Sequence, residues 1–233
     1  MKTIGLIGGM SWESSAEYYR ILNEEVQKKL GGLHSAKCIL FSVDFHEIER
    51  LQKAGDWEQA GDEMARVATA LEKAGADVIL LGTNTMHKVV DAIESSVAVP
   101  VLHIADATAK KIREQKFTKV GLLGTNYTME MDFYKSRLAA HQLTVLIPEA
   151  SDRERVNEII FEELCLGDIR QSSKEFYQSA IHKMVQEGAE AVILGCTEIG
   201  LLIKPEDSPV PVFDTALIHA QAAVELALND KSE

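Results

Sequence analysis

Residues 72–85 read EKAGADVILLGTNT, in which a glycine, a short apolar run and a second glycine precede three small polar residues. Gly75 stands where a helix would need its C-terminal cap, because glycine readily adopts the left-handed conformation that ends many helices. The uninterrupted apolar run that follows is typical of a strand covered on both faces, as in a parallel sheet. The segment therefore predicts a helix, then a buried parallel strand, then a polar loop.

A second segment, QEGAEAVILGCTE at 186–198, repeats the first one 113 positions later. The match aligns Gly82 with Gly195 and places Cys196 where the first segment has Thr83. A repeat of this kind indicates that the chain contains two copies of one supersecondary unit.

Other parts of the chain repeat in the same order. IGLIGG at 4–9 is matched by VGLLGT at 120–125, with an offset of 116, and VPVLHI at 99–104 has its counterpart in VPVFD at 210–214. Four elements in one order are hard to obtain by chance. We therefore predict an α/β fold with two pseudo-symmetric lobes, each a mostly parallel four-stranded sheet flanked by helices.

The predicted strands are eight apolar runs bounded by glycine or polar residues. They lie at 3–9, 36–44, 76–82, 99–104, 119–124, 143–148, 190–195 and 210–214. Two apolar stripes with helical spacing lie between them, formed by Ala60, Met64, Val67, Ala68 and Leu71, and by Phe176, Ala180, Ile181, Met184 and Val185. The N-terminal lobe is predicted to span residues 1–100 plus 212–233, and the C-terminal lobe residues 101–211.

The composition narrows the class of protein. A chain of 233 residues with 46% hydrophobic and 26% charged residues is long enough to bury a full core. Its formal net charge of −12 argues against nucleic acid as a partner, and the chain lacks the apolar run of about 18 residues that a membrane span needs. Its three widely spaced cysteines favour reduced thiols in the cytoplasm over disulfides.

Polar loops are predicted at the carboxyl ends of the repeated strands. In open parallel sheets, ligands bind beyond these ends, where the next helix presents unpaired N–H groups. The loops GTNT (82–85) and GCTE (195–198) lie there, as do GGMSW (8–12) and GTNYT (124–128). If the lobes face each other, the active site lies between them, and Thr83 and Cys196 approach one pocket from opposite sides.

Two groups that flank one carbon are suited to stereochemical inversion, which removes a proton from one face and returns one to the other. Cys196 suits the role of base, because a free thiol has a pKa of roughly 8.5 that falls at a helix N-terminus. Thr83 does not, because its hydroxyl does not ionise usefully in water and can only hydrogen bond or hold a water molecule.

Four motifs resemble the cofactor-independent aspartate/glutamate racemase family. They are IGLIGGMSWESSAEYYR (4–20), TNTMHK (83–88), GTNYTM (124–129) and GCTEIGLL (195–202). The resemblance runs nearly end to end. It implies an isomerase, an amino-acid racemase that uses neither pyridoxal phosphate nor a metal, with a small-molecule substrate and a homodimeric assembly.

The resemblance also implies roles for individual residues. Cys196 is expected to be a catalytic acid and base, with Thr83 on the opposite face. Asn84, Thr85 and Thr197 are expected to bind the carboxylate and ammonium groups of the substrate. The remaining substrate-binding candidates in these loops are Met10, Ser11, Thr125, Thr128 and Glu198.

Two positions depart from the family pattern. Members with two bases have a cysteine at the position of Thr83, so this chain resembles a branch with a Thr/Cys pair, which acts on aspartate and glutamate or on a broader range. Aspartate racemases tend to have a lysine where this chain has Leu166. Replacing a cation by an apolar side chain removes an ion-pair partner for the carboxylate of an acidic substrate. The substrate range is therefore expected to extend to neutral amino acids.

Other interpretations remain open. A single-thiol decarboxylase of malonate-type acids would keep only the second cysteine, and a degenerate amino-acid binding protein would have lost catalysis with the first. Cys38 and Cys165 are interpreted as core residues. Asp44 and Glu47 are interpreted as a helix capping box and not as metal ligands, and His87 and His103 are interpreted as hydrogen-bonded structural histidines.

Overall fold

The computed structural model describes residues 1–229, which form two compact units. The first unit comprises Met1–His103 together with the chain from His219 onward, and the second comprises Ile104–Ile218. The chain passes between them at His103 and again inside its last helix, so the first unit is discontinuous in sequence.

The first unit alternates strands with helices. Its elements are β1 (Ile4–Gly8), α1 (Trp12–Leu30), β2 (Cys38–Ser42), α2 (Phe45–Ala54), α3 (Trp57–Lys73), β3 (Val78–Leu81), a 3₁₀ turn (Thr85–Val89), α4 (Val90–Ser96) and β4 (Val101–Leu102).

The second unit follows the same plan. Its elements are α5 (Ile104–Glu114), β5 (Lys119–Gly124), α6 (Asn126–Glu130), α7 (Asp132–Ala140), β6 (Thr144–Leu146), α8 (Ala150–Glu162), a 3₁₀ turn (Leu164–Leu166), α9 (Gln171–Gln186), β7 (Ala191–Gly195), α10 (Ile199–Leu202), a 3₁₀ turn (Pro205–Asp207), β8 (Val212–Asp214) and the start of α11 (Thr215–Leu228).

Both sheets have four strands in an equivalent order, which confirms the predicted fold class. The order is β2-β1-β3-β4 in the first unit and β6-β5-β7-β8 in the second, and every strand pair is parallel. The repeat extends to the register, because Gly5 lies opposite Ile79 and its counterpart Gly121 lies opposite Val192. All eight predicted strands are present.

The helices before β3 and β7 bury the predicted stripes. All five stripe residues of α3 are buried, whereas in α9 Ala180, Ile181 and Met184 are buried and Phe176 and Val185 are half-buried. Two residues after the end of each helix lies a glycine with a positive φ of 98°, Gly75 after α3 and Gly188 after α9. The amides of Gly75 and Gly188 donate to carbonyls three residues back, at 2.9 Å in both units.

Two local predictions differ from the structure in detail. Asp44 does cap α2, but its carboxylate accepts from the amide of His46 at 3.0 Å and not from that of Glu47. Cys38 and Cys165 are half-buried and not enclosed in the core. Cys38 lies on β2, at the edge of its sheet, where fewer neighbours cover it.

A buried histidine ties the last helix to the rest of the first unit. His219 Nε2 donates to the carbonyl oxygen of Leu102 at 2.8 Å, and Tyr18 lies with its hydroxyl 2.9 Å from His219 Nδ1. Burial lowers the pKa of His219 to about 4. The imidazole is therefore neutral near pH 7, and its Nδ1 accepts the hydrogen bond from the tyrosine.

The equivalent glycines of β1 and β5 should respond unequally to enlargement. A Cβ at Gly5 would lie 2.8 Å from Cβ of Ala76, which moves only with its backbone, whereas a Cβ at Gly121 would lie 2.9 Å from Sδ of the flexible Met184. We expect Gly5→Ala to lower the free energy of unfolding by about 1–3 kcal/mol and Gly121→Ala to lower it less. Urea unfolding of both variants checks this, and equal losses would contradict it.

The neutral His219 should make stability depend on pH. Between the ordinary pKa of 6.5 and the folded value of about 4, the unfolded chain binds a proton that the folded chain does not. Stability should therefore fall as the pH drops through this window, by up to about 3 kcal/mol from this residue. Thermal unfolding from pH 7 to pH 4 should show a shallower decline for His219→Gln than for the wild type. The exposed His34→Gln control should decline as the wild type does.

Candidate active site

The first unit brings five of the predicted site residues to one edge of its sheet. Because β1 and β3 are parallel neighbours, the loops that follow them begin side by side. The hydroxyl of Ser14 donates to the carbonyl of Gly82 at 3.5 Å and links the two loops. We call this set the first half-site, and it consists of Met10, Ser11, Thr83, Asn84 and Thr85.

Hydrogen bonds hold the loop after β1 against the start of α1. Gly9 has a φ of +92°, and a Cβ there would lie 2.2 Å from the carbonyl oxygen of Val43, so only glycine fits. Its amide donates to Ser15 Oγ at 2.7 Å, and that hydroxyl donates to the carbonyl of Ser11 at 2.8 Å. The side chain of Ser11 in turn caps α1 by accepting from the amide of Ser14.

The loop after β3 is mostly enclosed. Asn84 and Thr85 are buried, whereas Thr83 is half-buried. His87 Nδ1 lies 2.8 Å from the carbonyl oxygen of Thr83, which makes His87 a hydrogen-bonded histidine, as interpreted from the sequence. Thr83 therefore offers a hydroxyl beside a backbone segment that is held in place.

The second unit gathers the other five predicted residues. Thr125 and Thr128 follow β5, and Cys196, Thr197 and Glu198 follow its parallel neighbour β7. We call these five the second half-site. The Thr125 hydroxyl caps α6 by accepting from the amide of Thr128 at 3.3 Å, and the two hydroxyls lie 3.2 Å apart.

A carboxylate lies directly against the candidate catalytic thiol. Cys196 Sγ donates to Glu198 Oε2 at 2.9 Å, and Thr197 Oγ1 donates to the same oxygen at 2.9 Å. Cys196 is 9% exposed and Glu198 is 2% exposed. Glu198 is therefore the direct hydrogen-bond acceptor of the Cys196 thiol.

The ionisation of Cys196 differs from the prediction. Burial raises the pKa of the Cys196 thiol well above its ordinary value, and the charge of Glu198 raises it further. The expectation of a lowered pKa at a helix N-terminus was wrong. The following helix, α10, has four residues, and Glu198 precedes it and directs its carboxylate to the sulfur. The glutamate two residues after the cysteine was the available signal.

The segment that carries Leu166 is anchored by a buried carboxylate that the sequence reasoning missed. Glu163 is 2% exposed, accepts a hydrogen bond from the hydroxyl of Ser173, and forms ion pairs with Arg155 at 3.5 Å and Arg170 at 3.4 Å. Leu166 itself is 72% exposed. An apolar side chain thus projects into solvent at the position where aspartate racemases tend to have a lysine.

The structure also bears on metals and membranes. Among residues 1–229, no group of three or more His, Cys, Asp or Glu side chains is arranged to hold a metal ion. Over the same range, no helix has both the length and the apolarity to cross a bilayer.

The chain belongs to the Asp/Glu/Hydantoin racemase family, whose model matches residues 7–223. A Yersinia pestis protein assigned to the Asp/Glu racemases shares 55% identity, with a TM-score of 0.91 over 98% of this chain and 100% of that one. An aspartate racemase homologue from Pyrococcus horikoshii shares 40% identity, with a TM-score of 0.85 over 97% and 99% of the two chains. The broad specificity amino-acid racemase RacX of Bacillus subtilis is 28% identical over 72% of this chain and 74% of its own.

These comparisons confirm the family predicted from the four motifs. They indicate an enzyme, and specifically an isomerase of the amino-acid racemase class.

The thiol–carboxylate contact should control the reactivity of Cys196. Replacing the Glu198 carboxylate by a neutral amide removes a charge that disfavours the thiolate, so Glu198→Gln should move the labelling midpoint of Cys196 to lower pH. The midpoint should stay above the ordinary range, because burial remains. Iodoacetamide labelling from pH 7 to pH 11, quantified for the Cys196 peptide by mass spectrometry, measures this. The control is Glu206→Gln, which changes an exposed glutamate and should leave the midpoint unchanged. An unchanged or raised midpoint in Glu198→Gln would show that the charge of Glu198 does not raise the pKa of Cys196.

Proposed function

We propose that the protein racemises free amino acids by α-proton abstraction without a cofactor, and that Cys196 is its catalytic acid and base. The observation that carries the proposal is the contact of the Cys196 thiol with the Glu198 carboxylate at the carboxyl end of β7. Racemisation needs a group that can both take and give a proton beside one carbon. A thiol with a proton acceptor at 2.9 Å is such a group.

The raised pKa of Cys196 suits a weakly acidic substrate. The α-proton of an amino acid is difficult to remove, and a thiolate of raised pKa is a stronger base for it, while a smaller fraction of the enzyme carries the thiolate near neutral pH. Cys196 first loses its own proton to solvent, and the thiolate then takes the α-proton of the substrate. In the opposite direction, the neutral thiol donates its proton to the substrate carbanion. The ammonium group of a bound substrate would favour the thiolate further through its positive charge.

The opposite face of the substrate requires a different donor. We propose Thr83 for the substrate face opposite the one served by Cys196. The Thr83 hydroxyl does not ionise usefully, so the second proton is given or taken by a water molecule that Thr83 holds or by another nearby group. Because a thiol serves one face and a different group the other, the two enantiomers should exchange their α-protons at different rates. This Thr/Cys arrangement distinguishes the proposal from a symmetric two-thiol mechanism.

The remaining residues of the half-sites bind the groups shared by all amino acids. Asn84, Thr85 and Thr197 are proposed ligands of the substrate carboxylate and ammonium. The other proposed contacts are Met10, Ser11, Thr125 and Thr128. Hydroxyls and an amide can donate to a carboxylate and accept from an ammonium. These residues can therefore bind the carboxylate and ammonium groups that all amino acids share, without selecting a particular side chain.

The substrate range is proposed to include aspartate and glutamate or to be broader. The exposed Leu166 offers no charge to an acidic side chain and is compatible with neutral ones. The similarity to a broad specificity racemase and to an aspartate racemase homologue supports both ranges. We also propose that the enzyme acts in the cytoplasm, without pyridoxal phosphate, and as a homodimer, which light scattering of the purified protein would test.

Deuterium exchange tests the reaction and the role of Cys196 together. Single enantiomers of aspartate, glutamate and several neutral amino acids are incubated in D2O, and α-deuterium and the enantiomer ratio are followed. We expect exchange with inversion. Cys196→Ser should lower kcat/KM by about 10²–10⁴, the usual contribution of general acid–base catalysis. Cys38→Ser, which changes a thiol on β2, outside both half-sites, should retain activity.

The other outcomes separate the alternatives. Exchange without inversion would indicate a base on one face, as in a single-thiol decarboxylase of malonate-type acids. Binding without exchange would indicate an amino-acid binding protein. Full activity of Cys196→Ala would remove Cys196 from the mechanism, and absence of exchange for every amino acid would refute the racemase proposal.

A further inference from the structure

Three buried histidines and a tyrosine lie beside the first half-site and have no role in the proposed proton transfers. His87 and His103 have ring centroids 4.4 Å apart, and His87 lies 6.1 Å from His219. Tyr18 meets His219 edge to face at 5.8 Å. All four side chains are buried and belong to the first unit.

His87 binds two consecutive carbonyl groups of the half-site. Its Nδ1 lies 2.8 Å from the carbonyl oxygen of Thr83, and its backbone amide donates to the carbonyl oxygen of Asn84 at 3.1 Å. A carbonyl oxygen can only accept, so Nδ1 must carry the hydrogen. His87 is therefore fixed as the Nδ1–H tautomer when neutral.

The bond to Thr83 determines the orientation of the next amide. The peptide that joins Thr83 to Asn84 is planar, and in a trans peptide the C=O and N–H groups point in opposite directions. Holding the Thr83 oxygen towards His87 therefore directs the Asn84 N–H away from it. The same bond restricts the backbone from which the Thr83 hydroxyl and the Asn84 amide project.

The surroundings of His87 are themselves fixed. His219 is bound on both nitrogens, to Leu102 and Tyr18, and carries its hydrogen on Nε2. His87 thus packs against a histidine of the opposite tautomer, which is locked in place by residues of β4 and α1. Because the neighbouring His219 ring is fixed, the His87 ring has little freedom to rotate away from the Thr83 carbonyl.

We propose that His87 is a positioning residue that sets the orientation of the Thr83–Asn84 peptide and thereby aligns the first half-site with the carboxylate of the substrate. It acts through the backbone and does not touch the substrate. The proposal rests on the proposed function, because it assigns a role at the same site.

Isosteric variants separate positioning from general stability. The side-chain amide of asparagine can place an N–H near the position of Nδ1, whereas that of glutamine places one near Nε2. We expect His87→Gln to raise KM by about ten- to a hundredfold, because a misaligned donor loses its hydrogen bond to the charged substrate carboxylate, and bonds to charged groups contribute affinity of this size. His87→Asn should recover most of the loss, and kcat should change less than KM in both variants.

A matched control is present in α9. His182 Nδ1 lies 2.7 Å from the carbonyl oxygen of Gln178, four residues earlier, in the same sequence relation as His87 and Thr83 but on an exposed surface. His182→Gln should leave KM unchanged. If His87→Asn and His87→Gln are equally impaired, or if only kcat falls, the positioning role is wrong.

Imidazole tautomers provide a readout that does not depend on activity. Long-range ¹H–¹⁵N spectra of the wild type at pH 7 should show His87 as Nδ1–H and His219 as Nε2–H, and the His87→Asn spectrum assigns the first signal. The backbone amide signal of Asn84 should move in His87→Gln and stay near its wild-type position in His87→Asn. An Nε2–H tautomer at His87, or an Asn84 signal indifferent to both variants, would overturn the proposal.

This design keeps the two proposals apart. If the wild type shows no exchange with any amino acid, the racemase proposal fails, while the tautomer and the Asn84 signal still decide whether His87 orients the peptide. If the wild type racemises and His87→Gln has the KM of the wild type, the racemase proposal stands and the positioning role fails.

Discussion

Both half-sites depend on the close approach of the two central strands in each sheet at glycine residues. A Cβ at Gly124 would lie 2.8 Å from the carbonyl oxygen of Gly195, and one at Gly195 would lie 2.9 Å from that of Leu123. In the first unit, a Cβ at Gly82 would lie 3.1 Å from the carbonyl oxygen of Ile7. Glycine allows this close approach, and because the strands are parallel neighbours, the loops that follow them start side by side and the polar residues of each half-site share one edge.

The equivalent sheet edges of the two units carry different functional groups. The second unit places a thiol against a carboxylate, so a proton has both a donor and an acceptor within 2.9 Å. The first unit places a hydroxyl on a backbone held by histidine, which favours binding and orientation over proton transfer. The duplication thus preserves the position of the polar loops in each unit, while one pair of equivalent positions carries a hydroxyl at Thr83 and a thiol at Cys196.

The fold was predictable because its signals are local. Short apolar runs marked all eight strands, and four of the runs end in glycine. Offsets of 113 and 116 reproduce the register of β3 on β1 and of β7 on β5. The loops at the strand ends followed from the topology. The ionisation of Cys196 did not follow, because it depends on the direction of one glutamate side chain and on burial. Nor did the contact of Tyr18 with His219, since 201 positions separate the two residues and no periodicity connects them.

The discontinuity of the first unit has a consequence for biosynthesis. The residues of the second unit emerge from the ribosome before His219, which reaches back to Leu102 and Tyr18, and before Ala220, Ala223, Val224 and Ala227, which are buried in α11. The unit that starts first is thus completed last. A nascent chain halted at residue 218 would contain every residue of the second unit. Its first unit would lack His219, the hydrogen-bond partner of Leu102, and the buried residues of α11, which would leave apolar surface for chaperones to shield.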